Sequence, residues 1–199
     1  MQVEKIPMNP PLLLATESRY KIALLKRLHI PFISQPAEID ETPLHGETPE
    51  ALATRLAVSK INTLAARFHE YLILATDQTA ALGTQILHKP GSETQAMDQL
   101  KQLSGQTVEF LTCTAMRWPN AQTQTHIDRV NVTIRTLTDA EIARYVAHDQ
   151  PIDTVGSFKV ESLGISLFNA VESSDPTALE GLGLIQTAHW LRDAGFRVP

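Results

Sequence analysis

Carboxylates and lysines at the ends of expected elements are the residues of this chain with the clearest chemical capacity. Asp77 follows the run Tyr71 to Thr76, which predicts a buried strand with the aspartate at its C-terminal end. Ligands of open α/β sheets bind beyond the carboxyl ends of strands, so a side chain there can face a cleft. An aspartate in that place also starts turns, and on its own Asp77 carries both readings. Asp40-Glu41 falls in a polar loop, Lys60 on a predicted helix and Lys89 just before Pro90. Each of these has an ordinary solvated role beside a chemical one.

Other chemistries find little footing. The chain has no Walker loop, Cys-x-x-Cys pair, His-Glu-x-x-His or Gly-x-Ser-x-Gly, which disfavours thiol, zinc and serine mechanisms. Its seven histidines include no pair at a helical spacing of four, and the one cysteine, Cys113, lies in a predicted strand as a small core residue.

The elements that must position these groups alternate between strands and helices. Leu12 to Thr16 reads as a buried strand, Ser18 as the N-cap of a helix through Leu24, Leu25 and Leu28, and Phe32 as the centre of a second strand. Thr48-Pro49-Glu50 opens a helix reaching about Phe68, with Ala53, Ala57, Ile61 and Leu64 on its buried face. Gly83-Thr84 predicts a hairpin, and Ser92 with Gln95 a capping box for a helix that stops at Gly105. Two long alternating stretches follow, through Phe110 and Val132, with a turn near Pro119-Asn120. Thr138 and Glu141 form a second capping box, Ile165 to Phe168 reads as a strand, and Leu184 to Ala194 as the last helix. This pattern predicts one α/β domain over residues 11–199, with a mixed, elongated sheet flanked by helices and a central cleft between two lobes, preceded by an extension over residues 1–10. Met8 is an alternative start to Met1.

Composition narrows the partners. Of 199 residues 43% are hydrophobic and 20% charged, as in ordinary globular chains, and the lone cysteine favours a reducing, cytoplasmic setting. A net charge of −5 without a basic run argues against a nucleic-acid polymer, and the absence of a long apolar stretch argues against a membrane span. A small polyanion such as a nucleotide stays open, because a few cations converging in a cleft outweigh the global charge locally.

Taken in order, the segments resemble the Maf family of nucleotide pyrophosphatases. Leu14-Ala15-Thr16-Glu17-Ser18 is similar to that family's opening Leu-Ala-Ser-x-Ser, Asp40-Glu41 to its loop Asp-Glu, and Arg55-Leu56-Ala57 with Lys60 to Arg-Leu-Ala-x-x-Lys. Asp77 stands where the family has its strand-end aspartate; Lys89-Pro90 and Leu103-Ser104-Gly105 match further motifs. Within the family, Gly156-Ser157-Phe158-Lys159 followed by Glu161, and Gln78 after Asp77, resemble the branch that acts on 7-methyl-GTP. The resemblance implies hydrolysis of a nucleoside triphosphate to the monophosphate and pyrophosphate, with Mg²⁺ or Mn²⁺ held by Glu41 and Asp77. Asp77, Lys60 and Lys89 would be catalytic, and Ser18, Tyr20, Lys21, Gln78 and Glu161 would bind substrate. A carboxylate among lysines and a metal is a weak base, so Asp77 would either take the water's proton or position the water. The N7-methylated guanine is cationic, which suits an aromatic face at Tyr20 and a carboxylate at Glu161.

Lys21 departs from the family's arginine and lacks the planar fork that grips phosphate with two bonds, with Arg19 next door as a candidate to compensate. Two other readings remain beside this one: a related pyrophosphatase for other noncanonical or pyrimidine nucleotides, and a catalytically weak nucleotide-binding regulator of cell division. A homodimer is compatible with all three.

Overall fold

Leu12–Leu14 is wholly buried as strand β1, and the chain turns directly into helix α1, Arg19–Lys26, with Ser18 at the N-cap position. A computed structural model describes residues 9–199; the proposed start at Met8 and most of the predicted extension lie outside them. Strand β2, Phe32–Ser34, pairs in parallel with β1, and helix α2 covers Pro49–Ala65. Thr48 caps α2 through its side chain, which accepts from the Ala51 amide, and Pro49 occupies the first turn, where its missing N–H costs nothing.

Strand β3, Leu72–Leu82, is the spine of the molecule. Its first residues pair in parallel with β1, and Ile73 to Ala81 pair antiparallel with β5, Thr107–Arg117. Asp77 therefore lies within a strand and not at its end, contrary to the sequence reading. It still borders a crevice, because β1 stops opposite Leu74 and leaves one edge of β3 open to the side chains that follow. Strand β4, Gln85–Leu87, folds back on the end of β3 through the expected turn at Gly83-Thr84.

Helix α3, Glu93–Leu103, then leads into β5 and the long strand β6, Thr123–Ile134. After helix α4, Asp139–Asp149, which begins with a complete Thr138/Glu141 capping box, comes the edge strand β7, Phe168–Ser173. Helix α5, Leu184–Asp193, closes the described chain. The result is a single mixed α/β domain with a seven-stranded sheet in the order β2-β1-β3-β5-β6-β7, β4 pairing on β3. The strand expected at Ile165 to Phe168 is displaced: Leu163–Leu167 form a 3-10 turn and β7 starts only at Phe168. Gly164 brings its backbone against the Lys159 carbonyl so closely that a Cβ would collide, and this wrap precludes an extended conformation there.

Apolar packing divides the molecule. At the parallel end, one face of the sheet packs against α1 and α5 through Leu24, Leu25, Trp190 and Leu191, and the other against α2 through Ala53, Ala57 and Ile61. At the antiparallel end, α3 and α4 enclose Leu100, Phe110, Val132 and Tyr145 in a separate cluster. The main cleft lies where these bodies meet, so each wall rests on a packed core. Among the described residues no helix is long and apolar enough to cross a membrane.

Candidate active site

The cleft, of about 830 Å³, is lined by Ser18, Tyr20, Lys21, Glu41, Lys60, Asp77, Gln78, Lys89 and Glu161, that is, by every residue to which the resemblance gives a catalytic, metal-binding or substrate-binding role. They come from α1, the loop before α2, α2 itself, β3, the segment after β4 and the segment after α4. Convergence from six parts of the chain is what a binding site requires and what a solvated surface lacks.

One end of the cleft is built from lysines and carboxylates. Lys60 reaches across from α2 to bond Asp77 Oδ1, and Glu41 Oε1 lies 3.0 Å from the same ammonium. Burial tends to lower the Lys60 pKa, but the two carboxylates outweigh it and hold the value above the usual range. For Glu41 burial works upward and is outweighed by Lys60, Lys89 and Lys21, so its carboxyl stays ionised to lower pH than usual. The loop that carries Glu41 is braced twice. Asp40 accepts from the Thr42 amide at 2.9 Å, and Arg55 grips Glu47 at 2.6 and 2.8 Å while donating to the Thr42 carbonyl at 3.0 Å. Asp40 and Arg55, both within motifs of the resemblance, thus shape the loop.

Lys21 is set deeper, with its Nζ donating to the Thr76 carbonyl at 3.0 Å. Burial, reinforced by Lys60 and Lys89 and opposed by Asp77, brings its pKa down to about 8. Lys21 accordingly loses its charge as pH rises through that value. If it binds the polyphosphate, kcat/KM, which reports the free enzyme, should fall along an alkaline limb near that pH. Lys21→Arg, whose guanidinium stays protonated, should remove the limb; a pH profile with the limb unchanged in that variant would detach it from Lys21.

The other end holds Tyr20 and Glu161. Arg19 does not join the lysines: its guanidinium lies 4.8 Å from the Tyr20 ring centroid and donates to the Tyr20 hydroxyl at 2.7 Å, and its charge is felt by Asp153 and Glu161. It is therefore no substitute for the arginine that Lys21 replaces. Glu161 stands at the mouth of the cleft, where partial desolvation and the neighbouring Glu180 push its carboxyl above the ordinary range. Gln78 sits between the two ends, and its amide nitrogen is engaged with Thr112 Oγ1 at 2.9 Å and with the carbonyls of Ala178 at 2.9 Å and Leu179 at 3.2 Å. Only its oxygen remains for a ligand. Ser18 lies beside the first turn of α1, whose free amides favour an anion.

Sequence reasoning missed the apolar lining. Leu52, Leu56, Phe110, Val155, Phe158 and Val160 all face the cleft, as does Glu180, held by Arg27 at 2.8 Å. Leu56 and Phe158 fall within motifs of the resemblance; the others are assembled by long-range contacts that no local pattern encodes.

Fold and cleft together define an α/β protein whose pocket has a cationic, carboxylate-bearing end and an aromatic, acidic end. The chain belongs to the Maf family, whose model, described as Maf-like protein, matches residues 11–194. It is 46% identical over 192 residues to a 7-methyl-GTP pyrophosphatase of Xanthomonas campestris pv. campestris, covering 96% of this chain and 100% of the relative. It is 45% identical over 191 residues to the protein of that name from Pseudomonas putida, covering 95% and 99%. Among solved structures, the Staphylococcus aureus Ham1 protein shares the fold, with a TM-score of 0.53 at 14% identity over 92% of this chain and 98% of that one.

Proposed function

We propose that this Maf-family protein is a nucleoside triphosphate pyrophosphatase that hydrolyses 7-methyl-GTP to 7-methyl-GMP and pyrophosphate, clearing a modified nucleotide from the cytoplasmic pool. The observation that carries this reading is the division of one cleft into a lysine-carboxylate end and a Tyr20/Glu161 end, in a chain whose near-full-length relatives bear that name.

The triphosphate lies among Lys21, Lys60 and Lys89, whose charges offset its own. Asp77 orients a water toward the α-phosphorus and accepts its proton as the new O–P bond forms. The bond between the α-phosphorus and the bridging oxygen breaks, and pyrophosphate leaves with its added charge met by the lysines. Glu41 and Asp77 suit a hard divalent cation, Mg²⁺ or Mn²⁺: two carboxylates already converge on one cation, the Lys60 ammonium. Among the described residues no group of three or more His, Cys, Asp or Glu could hold a metal, so the remaining ligands would be phosphate oxygens and water. Such an ion, when bound, would supply charge neutralisation and polarise the phosphoryl oxygens.

Base choice rests on the charge that only the methylated ring carries. Tyr20 offers that ring an aromatic face, and Glu161 a charged acceptor for the guanine edge. Glu161→Gln keeps the length and one acceptor oxygen but removes the charge. It should lower kcat/KM for 7-methyl-GTP relative to GTP by roughly tenfold, the difference between a charge-assisted and a neutral hydrogen bond. Steady-state kinetics on both substrates check this, and an unchanged ratio would sink the assignment of Glu161 to the base.

A further inference from the structure

Glu161 belongs to a segment that has no helix or strand to stiffen it, yet the residues on either side of it are fastened to one point of the scaffold. Lys159 is absent from the cleft lining and extends away from it toward the C-terminal end of α4. Its ammonium donates to the carbonyls of Asp149 at 2.9 Å and Gln150 at 3.0 Å, and lies 3.4 Å from Asp153 Oδ1, with 12% of the side chain exposed. Those carbonyls end a helix whose dipole favours a cation there.

The backbone of Lys159 is fixed as well. Its amide donates to the buried Tyr145 hydroxyl at 2.9 Å, and its carbonyl accepts from the amides of Ser162 at 3.2 Å and Gly164 at 3.1 Å. On the other side of Glu161, Ser162 Oγ donates to Asp149 Oδ1 at 2.9 Å. Asp149 thus takes Lys159 on its carbonyl and Ser162 on its carboxylate, and the two-residue span Val160-Glu161 is strung between them.

We propose that Lys159, Ser162 and Asp149 form a clamp that positions Glu161 for the base, so that Lys159, the single lysine of the Gly156-Ser157-Phe158-Lys159 motif, is a positioning residue and not a phosphate ligand. The proposal rests on the reading of Glu161 given above. Holding a carboxylate at a set point matters because a charge-assisted hydrogen bond loses most of its advantage when its acceptor wanders. The clamp therefore acts on selectivity and leaves the phosphate end of the cleft unchanged.

The test measures kcat and KM for 7-methyl-GTP and GTP in Lys159→Met, Lys159→Arg, Ser162→Ala and Glu161→Gln, and in the doubles that combine Glu161→Gln with each of Lys159→Met and Ser162→Ala. Lys159→Met should lower the 7-methyl-GTP to GTP ratio of kcat/KM by roughly fivefold, chiefly through KM, with kcat for GTP near the parent value. Ser162→Ala, which removes only a surface hydroxyl and tests the clamp even if Lys159→Met fails to fold, should act the same way by roughly threefold. Lys159→Arg should recover part of the loss. In the Glu161→Gln background neither change should move the ratio further, because the group being positioned is gone. Equal losses on both substrates in Lys159→Met would make Lys159 a phosphate ligand or a purely structural residue, and overturn the clamp. So would an unchanged ratio in Ser162→Ala beside a lowered one in Glu161→Gln. Failure of the underlying reading shows separately, as an unchanged ratio in Glu161→Gln alone.

Discussion

Asp77→Asn should abolish nearly all pyrophosphate release, a fall of ~10³–10⁴ in kcat, while the protein stays folded and still binds nucleotide. The amide has the shape of the carboxylate but neither accepts a proton nor carries the charge that a hard cation seeks. Lys60 would lose one of its two carboxylate partners and keep Glu41 at 3.0 Å, so the α2 side of the cleft is not left with an unpaired buried charge. With one negative charge removed from beside Lys21 and Lys60, binding of a triphosphate in the absence of metal should hold or tighten. Calorimetry without metal and single-turnover hydrolysis with Mg²⁺ or Mn²⁺ separate the two effects. Turnover within a few-fold of the parent would exclude Asp77 both as proton acceptor and as metal ligand.

Lys60→Met should be nearly as damaging, lowering kcat/KM by ~10²–10³ for every triphosphate tested. On the proposed reading the lysine has two tasks: it would meet phosphate charge, and it keeps Asp77 and Glu41 from facing each other unpaired. Its removal has a signature that simple loss of binding would lack. Glu41 is held below the ordinary carboxylate range only because the lysines, Lys60 foremost among them, outweigh burial. Without Lys60 burial acts with less opposition, so the Glu41 pKa should rise and bring a new acid limb into the pH profile. The sign also fixes the stability effect. A depressed carboxylate pKa adds stability at neutral pH that is lost as pH falls through the folded value, so Lys60→Met should narrow the difference in melting temperature between neutral and acid conditions. An unaltered acid limb together with substrate-selective losses would show that Lys60 acts elsewhere than on the phosphates and Glu41.

What could be read from the chain alone follows the range of the interactions concerned. The capping side chains of Thr48 and Thr138 bond within three residues of themselves, and both helices begin where those caps predict. The sequence pattern ends the strand at Asp77 because the residues beyond it, Gln78-Thr79-Ala80-Ala81, show no alternation of their own. They are strand because β5 lies alongside, and that pairing joins residues far apart in sequence. Ile165 and Leu167 alternate as a strand would, but the approach of Gly164 to the Lys159 carbonyl decides the local fold. For the site, the gathering of Lys21, Lys60, Lys89, Glu41 and Asp77 came through resemblance, since no spacing between them implies a shared cleft. The outward direction of Lys159 and the engaged amide of Gln78 were beyond both routes, being set by the ends of α4 and by the turn at Ala178.

The cleft also has an order of assembly. The lysines, Glu41 and Asp77 all precede Pro90 in the chain, but the walls that carry Glu161, Leu179 and Gly181 come from much later. Those walls are tied back to β3 by the Gln78 amide on Ala178 and Leu179 and by Thr76 Oγ1 on the Gly181 carbonyl at 2.8 Å. Closing loops of that length has an entropic cost that is recovered only when the distant partner is present. Lys21, Lys60, Lys89 and Asp77 are thus synthesised before the segments that enclose them. The enclosed cleft exists only once residues 153–181 have been synthesised.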